Sequence, residues 1–457
     1  MKVAIIGAGW AGAACAWQLK QWGYQVTLFE SARIAGGRAR RVNASWGPID
    51  NGQHLLIGAY TSTLHLMSAL GIEKKQNFYC KDISFQSLSG HFHFRFWPLP
   101  SPWHQLGVLF GSKGLRFSDK LALMRLISSL RKMQWQPPKS QTVQTLLKNT
   151  NQPTRLIHQL WQPLCIAALN TPLEQASAQI FAAVLRDSLG HGRHNAKMLI
   201  PKQDMSRLWV EKALESVHCY LGTPIKEIKI KQTEQGMTNG LNCHYKPLSK
   251  KQRQRIEIHG QCFDACVIAT QIPSAIRLLE PLACNAAQKK LIKQLKNIQF
   301  NPIATLYLQP KVAWSLKQPI LMLEEDRSQL HAGQWLFNHS ALNNSFAQKT
   351  IAVVISDAGY LKNYGKEEIT NGVIRQIQNQ LPNTAPKLPP ILQSLLITEQ
   401  RATFLATPDL KRPKATSPWP NIYFAADWVQ SDYPAVLEAA VRSGLKTAQI
   451  IKKSHCP

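Results

Sequence analysis

The 457-residue chain predicts an α/β fold whose opening sheet is parallel. Three observations point that way. A strand, a glycine-rich turn and a helix open the chain. A second strand, ending in an acid, follows directly. A strand–acid–helix unit then closes the chain near residue 430.

The opening unit begins with the apolar run Val3-Ala4-Ile5-Ile6, which ends in Gly7-Ala8-Gly9-Trp10-Ala11-Gly12. Ala13 to Trp22 reads as a helix with Gly23 as its stop, and Gln25 to Phe29 as a second strand. Glycines in such a turn bare backbone N–H groups beside a helix N-terminus, the arrangement that holds a pyrophosphate. Glu30 stands eighteen positions past Gly12, where a carboxylate accepts hydrogen bonds from ribose hydroxyls. Gly7, Gly9, Ala11, Gly12 and Glu30 are therefore candidate dinucleotide contacts. The loop Gly36-Gly37-Arg38 follows closely; it reads as a second approach to the same ligand, with Arg38 as a phosphate partner. Because the glycines interrupt the N-terminal apolar run, it is expected to be a strand and turn rather than a leader peptide.

The middle of the chain changes character several times. Phe92, Phe94 and Phe96 alternate with His91, His93, Arg95 and Trp97, the period of a strand with one aromatic face. A proline-broken stretch with Trp97, Trp103, Phe110, Lys113 and Arg116 fits either a membrane interface or a buried loop. Residues 118–133 read as a basic amphipathic helix started by a Ser-Asp cap. Residues 154–186 read as apolar helix broken at Pro163 and Pro172. A β-meander is expected over 222–270, with a turn at Asn239-Gly240 and a basic corner at 250–255, and its last run, 263–270, reads as a strand. Near the C-terminus Ile422 to Ala425 forms a short strand closed by Asp427. Pro434-Ala435 follows, in what reads as the first turn of a helix.

Composition narrows the class of protein. A hydrophobic share of 44% with 18% charged residues fits a folded globular chain. The 54 Lys+Arg against 26 Asp+Glu give a net charge of +28, which attracts polyanions. No nucleic-acid-binding motif accompanies that charge, so an anionic membrane surface is the expected partner. No apolar stretch reaches the length of a membrane span. Nine cysteines at irregular spacings suggest reduced, mostly buried thiols and no metal site.

The opening glycine motif, Glu30 and the Gly36-Gly37-Arg38 loop resemble the FAD-binding start of the amine oxidase and phytoene desaturase superfamily. That resemblance implies FAD, and a Rossmann-like FAD-binding domain of the GR2, amine oxidase-like type, interleaved with an α+β substrate-binding domain. The expected division is FAD domain over 1–82, 201–275 and 396–457, and substrate domain over 83–200 and 276–395. Asp427, Pro434 and Ala435 would then be flavin contacts, with the helix dipole facing the flavin's N1/C2=O edge. Glu438 would lie on that helix's flank.

A narrower likeness rests on Asp50-Asn51-Gly52-Gln53-His54, Arg401-Ala402-Thr403-Phe404, Tyr433-Pro434-Ala435 and Arg442-Ser443-Gly444. These blocks resemble the squalene-associated FAD-dependent desaturases, also described as hydroxysqualene dehydroxylases. Two positions depart from that pattern: Ala426 replaces a usual Gly, and Ser431-Asp432 a usual Thr-Gly. The resemblance implies reductive removal of a hydroxyl from a C30 isoprenoid alcohol to give squalene, with hydride from reduced flavin. Gln53 and His54 would face the flavin edge and the substrate head. His54, Asp50 and Tyr60 are the candidate proton donors, since hydroxide leaves poorly without one. Read without the resemblance, His54 is a helix-capping or satisfied core histidine. An oxidative polyene desaturase is the alternative function, and an amine oxidase or a non-enzymatic basic protein are further ones. The expected location is the cytoplasm, at the inner face of the membrane. A single dinucleotide fingerprint leaves two routes for the electrons: a reductant that visits the same flavin, or a partner protein.

Overall fold

The computed structural model describes residues 1–95, 112–189, 195–232, 254–342 and 349–455. Most of the tryptophan- and proline-bearing run after Arg95, the Asn239-Gly240 turn and all but the last two residues of the basic corner at 250–255 lie outside these residues.

Lys2–Ile6 pairs in parallel with Gln25–Phe29 on one side and Ala265–Ile268 on the other. His218–Tyr220 extends the sheet at one edge and Ile422–Phe424 at the other, also in parallel. Chain segments from the start, middle and end thus share one sheet, in which every parallel neighbour needs a crossover. The first helix, Trp10–Gln21, packs against the C-terminal helix, Leu437–His455. At that crossing a Cβ on Gly444 would stand 2.2 Å from the Ala11 carbonyl oxygen, so only glycine lets the two backbones meet.

The second sheet is antiparallel, in the order Ile320–Met322, Trp335–Asn338, Ile351–Ile355, Phe300–Pro310, Ile391–Phe404. Strand alternation divides its faces. Ala304, Leu306 and Leu308 pack with Val353 against Val373 and Ile377, from the helix Lys366–Gln380. Ile303 and Thr305 face the other way, onto a large cavity. The expected division at 395/396 falls inside the strand Ile391–Phe404, and that at 200/201 falls at the end of Lys197–Pro201.

A helical layer covers the cavity's far side. Phe117–Lys132 starts one residue before the expected 118, with Arg116 rather than Ser118 at its N-cap: Asp119 accepts the Arg116 N–H at 2.8 Å, so it closes the first turn from inside. Nor does Pro163 break its helix. Because proline has no N–H to offer, the ladder widens to a π turn over Ile157–Trp161, and Gln162–Leu169 continues from it. The break comes at Asn170, whose φ of 46° is left-handed. Cys15, Cys165 and Cys266 are free, buried thiols. Among the described residues no helix is long and apolar enough to cross a membrane.

Candidate active site

The two lobes enclose a cavity of about 850 Å³. At one end its wall is the glycine-rich turn. Gly7 has a φ of +108°, and a Cβ there would lie 2.6 Å from the Ala269 carbonyl oxygen. Gly37, at φ +63°, would place a Cβ 2.9 Å from Gly9 Cα. The second loop is therefore folded onto the first, with Gly36 N–H donating to the Ala8 carbonyl at 2.8 Å. The helix Trp10–Gln21 starts beside them with no side chain capping its N-terminus, leaving first-turn N–H groups for a ligand. Gly12 does not line the cavity. A Cβ on it would stand 2.0 Å from the Gly7 carbonyl oxygen, so it closes the turn.

Glu30 lines this end of the cavity, with one carboxylate oxygen accepting Ala8 N–H at 2.7 Å and the other Ala32 N–H at 2.8 Å. Further lone pairs stay available to hydroxyls. A narrow cradle of backbone donors ending in a carboxylate fits a dinucleotide such as FAD. Arg38 and Asp427, expected as separate cofactor contacts, are paired at 2.7 Å. Arg38 also donates to the Ala402 carbonyl at 2.5 Å. Burial alone would lower the Arg38 pKa, but the Asp427 carboxylate raises it on balance.

Pro434, Ala435, Val436 and Leu437 line the cavity too. Their helix begins at Leu437 rather than at Pro434, whose carbonyl instead accepts the Val436 N–H at 2.9 Å. Arg412 holds the preceding loop, donating to the carbonyls of Asp427 at 3.3 Å and Tyr433 at 3.0 Å, and to that of Ser431. Ala426, where a glycine is usual, donates its N–H to Ser443 Oγ at 3.0 Å. Glu438 is fully buried rather than on a free flank. It accepts the N–H groups of Ser62 and Thr63, both at 2.9 Å, and so caps the helix Thr61–Ala69.

Asn51, Gly52, Gln53, His54 and Tyr60 all reach the cavity wall. Asp50 does not. Its carboxylate accepts Met205 N–H at 2.9 Å behind the wall, and burial pushes its pKa well up. A carboxyl facing away from the cavity is a structural acceptor and not a proton donor to a ligand. Burial lowers the His54 pKa to about 4, with a contribution from Arg38, although the Gly52 backbone pulls the other way. His54 is therefore a neutral imidazole near pH 7. Its Nδ1 is buried without a hydrogen-bond partner among the described residues, while the residue itself lines the cavity. Tyr60 is held protonated by burial, then by Glu438 and Tyr433.

Sequence reasoning missed Asp187 and His339 and the way the remaining polar groups pair. Tyr433 donates to Asp187 Oδ2, and both line the cavity. Arg442 stacks on Tyr433 at 4.4 Å. His339 bonds to Gln53 across the lobes. Tyr433 and Arg442 stand in blocks already quoted, but their pairing does not show in the sequence, and Asp187 and His339 lie in no local motif and meet partners distant in the chain. Most of the remaining wall is apolar, including Phe85, Phe94, Met124, Ile127, Leu160 and Trp161, with Gln271, Arg277 and Glu399 among its polar members.

Comparisons agree with this geometry. The family of flavin containing amine oxidoreductases matches residues 10–452. Among curated relatives, the chain is similar to the hydroxysqualene dehydroxylase of Zymomonas mobilis subsp. mobilis, at 25% identity over 99% of both chains. It is similar to that of Rhodopseudomonas palustris at 26% identity over 98% of both. The zeta-carotene desaturase of a Synechocystis species is 23% identical over 99% of this chain and 97% of its own. Among solved structures, cyclohexylamine oxidase from Brevibacterium oxydans superposes with a TM-score of 0.67 at 17% identity, covering 99% of both chains.

Proposed function

The chain belongs to the flavin containing amine oxidoreductase family and is an FAD-dependent oxidoreductase, and on that premise we propose that it reductively removes the hydroxyl of hydroxysqualene to give squalene. The observation that carries this reading is the cavity wall: an extended, mostly apolar surface with the neutral His54 imidazole set into it. An isoprenoid alcohol has a hydrocarbon tail for the first and an oxygen for the second. A pure polyene, the substrate of a desaturase, has nothing for His54 to hold. Relatives of both activities align along the whole chain, so this chemical argument is what separates the readings.

FAD, when bound, supplies hydride chemistry that no side chain can. Residues of the chain do the rest. The glycine turns and the helix N-terminus would receive the pyrophosphate, Glu30 the ribose, and Arg38 with Asp427 the polar middle of the cofactor. Pro434 and Ala435 would line the flavin's side of the cavity. Gln53, His54 and Tyr60 line the wall where the substrate's hydroxyl would sit, with His54 donating the hydrogen bond or proton that lets it leave as water. The apolar walls exclude bulk water, which would otherwise quench a carbocation.

The substrate is a lipid, and the helix Phe117–Lys132 has the shape of an entrance. Leu123, Met124 and Ile127 face the cavity. On the same helix Phe117 is 76% exposed and Leu121 49% exposed, beside Arg116 and Lys120. Apolar side chains framed by cations suit the anionic face of a bilayer, and this reading places the protein there peripherally. The direct test is anaerobic: reduce the flavin with dithionite, add detergent-dispersed hydroxysqualene and assay squalene. Oxidation of a polyene by the resting enzyme, without squalene formation, would favour the desaturase.

A further inference from the structure

The loop that carries His54 is pinned from both lobes: on its own side Asn51 Nδ2 donates to the Arg38 carbonyl at 3.1 Å and Met205 N–H donates to Asp50. Tyr307, on the second sheet, donates to the Asp50 carbonyl at 3.0 Å. Three residues on, the Gln53 amide is held at both ends. Its Nε2 donates to the His54 carbonyl at 3.1 Å, and its Oε1 lies 2.9 Å from His339 Nε2. An amide oxygen only accepts, so His339 Nε2 must carry the proton. Turning the Gln53 amide over would set its oxygen against the His54 carbonyl, two acceptors face to face, and this fixes the orientation.

His339 is 2% exposed and does not line the cavity. It follows directly on the strand Trp335–Asn338, and its backbone N–H donates to Thr350 at 3.1 Å. Just before it, the Asn338 side chain donates to the Leu316 carbonyl at 2.7 Å. The imidazole is thus mounted on a rigid strand end, while Gln53 sits in a loop with a left-handed glycine, Gly52, at φ +99°. Burial keeps the ring neutral, with its pKa lowered to about 4.

We propose that His339 is a positioning residue: by donating from Nε2 to the Gln53 amide oxygen it fixes the Gln53–His54 peptide, and so the direction in which His54 faces the reacting end of the cavity. It acts from the substrate sheet onto a loop of the FAD lobe, so His54 is correctly aimed only when the two lobes are in register. The catalytic consequence rests on the dehydroxylase reading; the hydrogen bonds themselves do not.

The test uses the full-length protein with His339→Leu, His339→Gln, Gln53→Ala and the double variant His339→Leu/Gln53→Ala. Histidine ¹⁵N NMR comes first, because it needs no substrate. The expected result is His339 as the Nε2–H tautomer, and a His54 resonance that moves in His339→Leu but stays near its wild-type position in His339→Gln. The glutamine variant keeps an N–H donor for Gln53. With hydroxysqualene, each of His339→Leu and Gln53→Ala lowers kcat by about tenfold with KM little changed, as expected for lost orientation. The double variant is no worse than either single, because the two residues act as one unit. The proposal is overturned by an Nδ1–H tautomer, by a His54 resonance indifferent to His339→Leu, or by single effects that multiply. If hydroxysqualene is not turned over at all, the dehydroxylase reading fails, while the NMR result still decides the positioning role.

Discussion

His54 and His339 are both buried as neutral imidazoles, their pKa values lowered from 6.5 to about 4. In the unfolded chain each takes up a proton near pH 6.5, so between there and about 4 the unfolded state binds more protons. Stability therefore falls as pH falls through that window, by up to about 3 kcal/mol per histidine. Urea unfolding at pH 7 and pH 4.5 checks this, and His339→Gln should flatten the slope; an unchanged slope would contradict burial as the cause. The same shift governs activity. A donor with a pKa near 4 is protonated in only about one molecule in a thousand at neutral pH. We expect kcat to rise as pH falls from 7 toward 5, and His54→Ala to abolish that rise with a loss of about 10²–10⁴-fold. At this scale the sequence was readable only in part. His54 stood out because Gln53 and Gly52 precede it in a block, whereas His339 has ordinary neighbours and acquires its role only from a contact with a distant loop.

Among the elements, the cofactor cradle was the most legible, because its glycines, strand and helix are contiguous and each residue type has a local reason. Gly37→Ala would combine a left-handed backbone with a Cβ 2.9 Å from Gly9 Cα. It should purify with at least about tenfold less bound flavin, read from visible absorbance, whereas Gly23→Ala, with open space around it, should keep its flavin. Equal flavin content in the two variants would remove the cradle from the account. The start of the C-terminal helix was misread because Pro434 suits a first turn, yet the chain needs three more residues of loop before turning helical at Leu437. Arg38 and Asp427 were each found, but not as partners, since spacing along the chain carries no trace of a contact between its two ends. The helix Phe117–Lys132 yields a further prediction. Phe117→Glu with Leu121→Glu should lower sedimentation with anionic vesicles while leaving turnover of detergent-dispersed substrate unchanged. Undiminished vesicle binding would move the docking surface elsewhere.

For the whole molecule, the parallel sheet was predictable from its ends, because the opening βαβ unit and the closing strand–acid–helix unit each declare themselves locally. How the chain returns between them was expected from resemblance rather than from periodicity, and the strands Lys197–Pro201 and Ile391–Phe404 run through the expected boundaries. Interleaving of this kind makes the cavity a product of the entire fold: its wall takes residues from Ile6 to Ala440. The account's central claim is that this cavity holds an isoprenoid alcohol against FAD with His54 at its hydroxyl. The most direct measurement is a single anaerobic turnover of dithionite-reduced enzyme with hydroxysqualene, following squalene and flavin reoxidation together. The account predicts squalene equal to the flavin reoxidised, and little of either in His54→Ala. Reduced flavin that persists with substrate present, or squalene formed at the wild-type rate without His54, would contradict it.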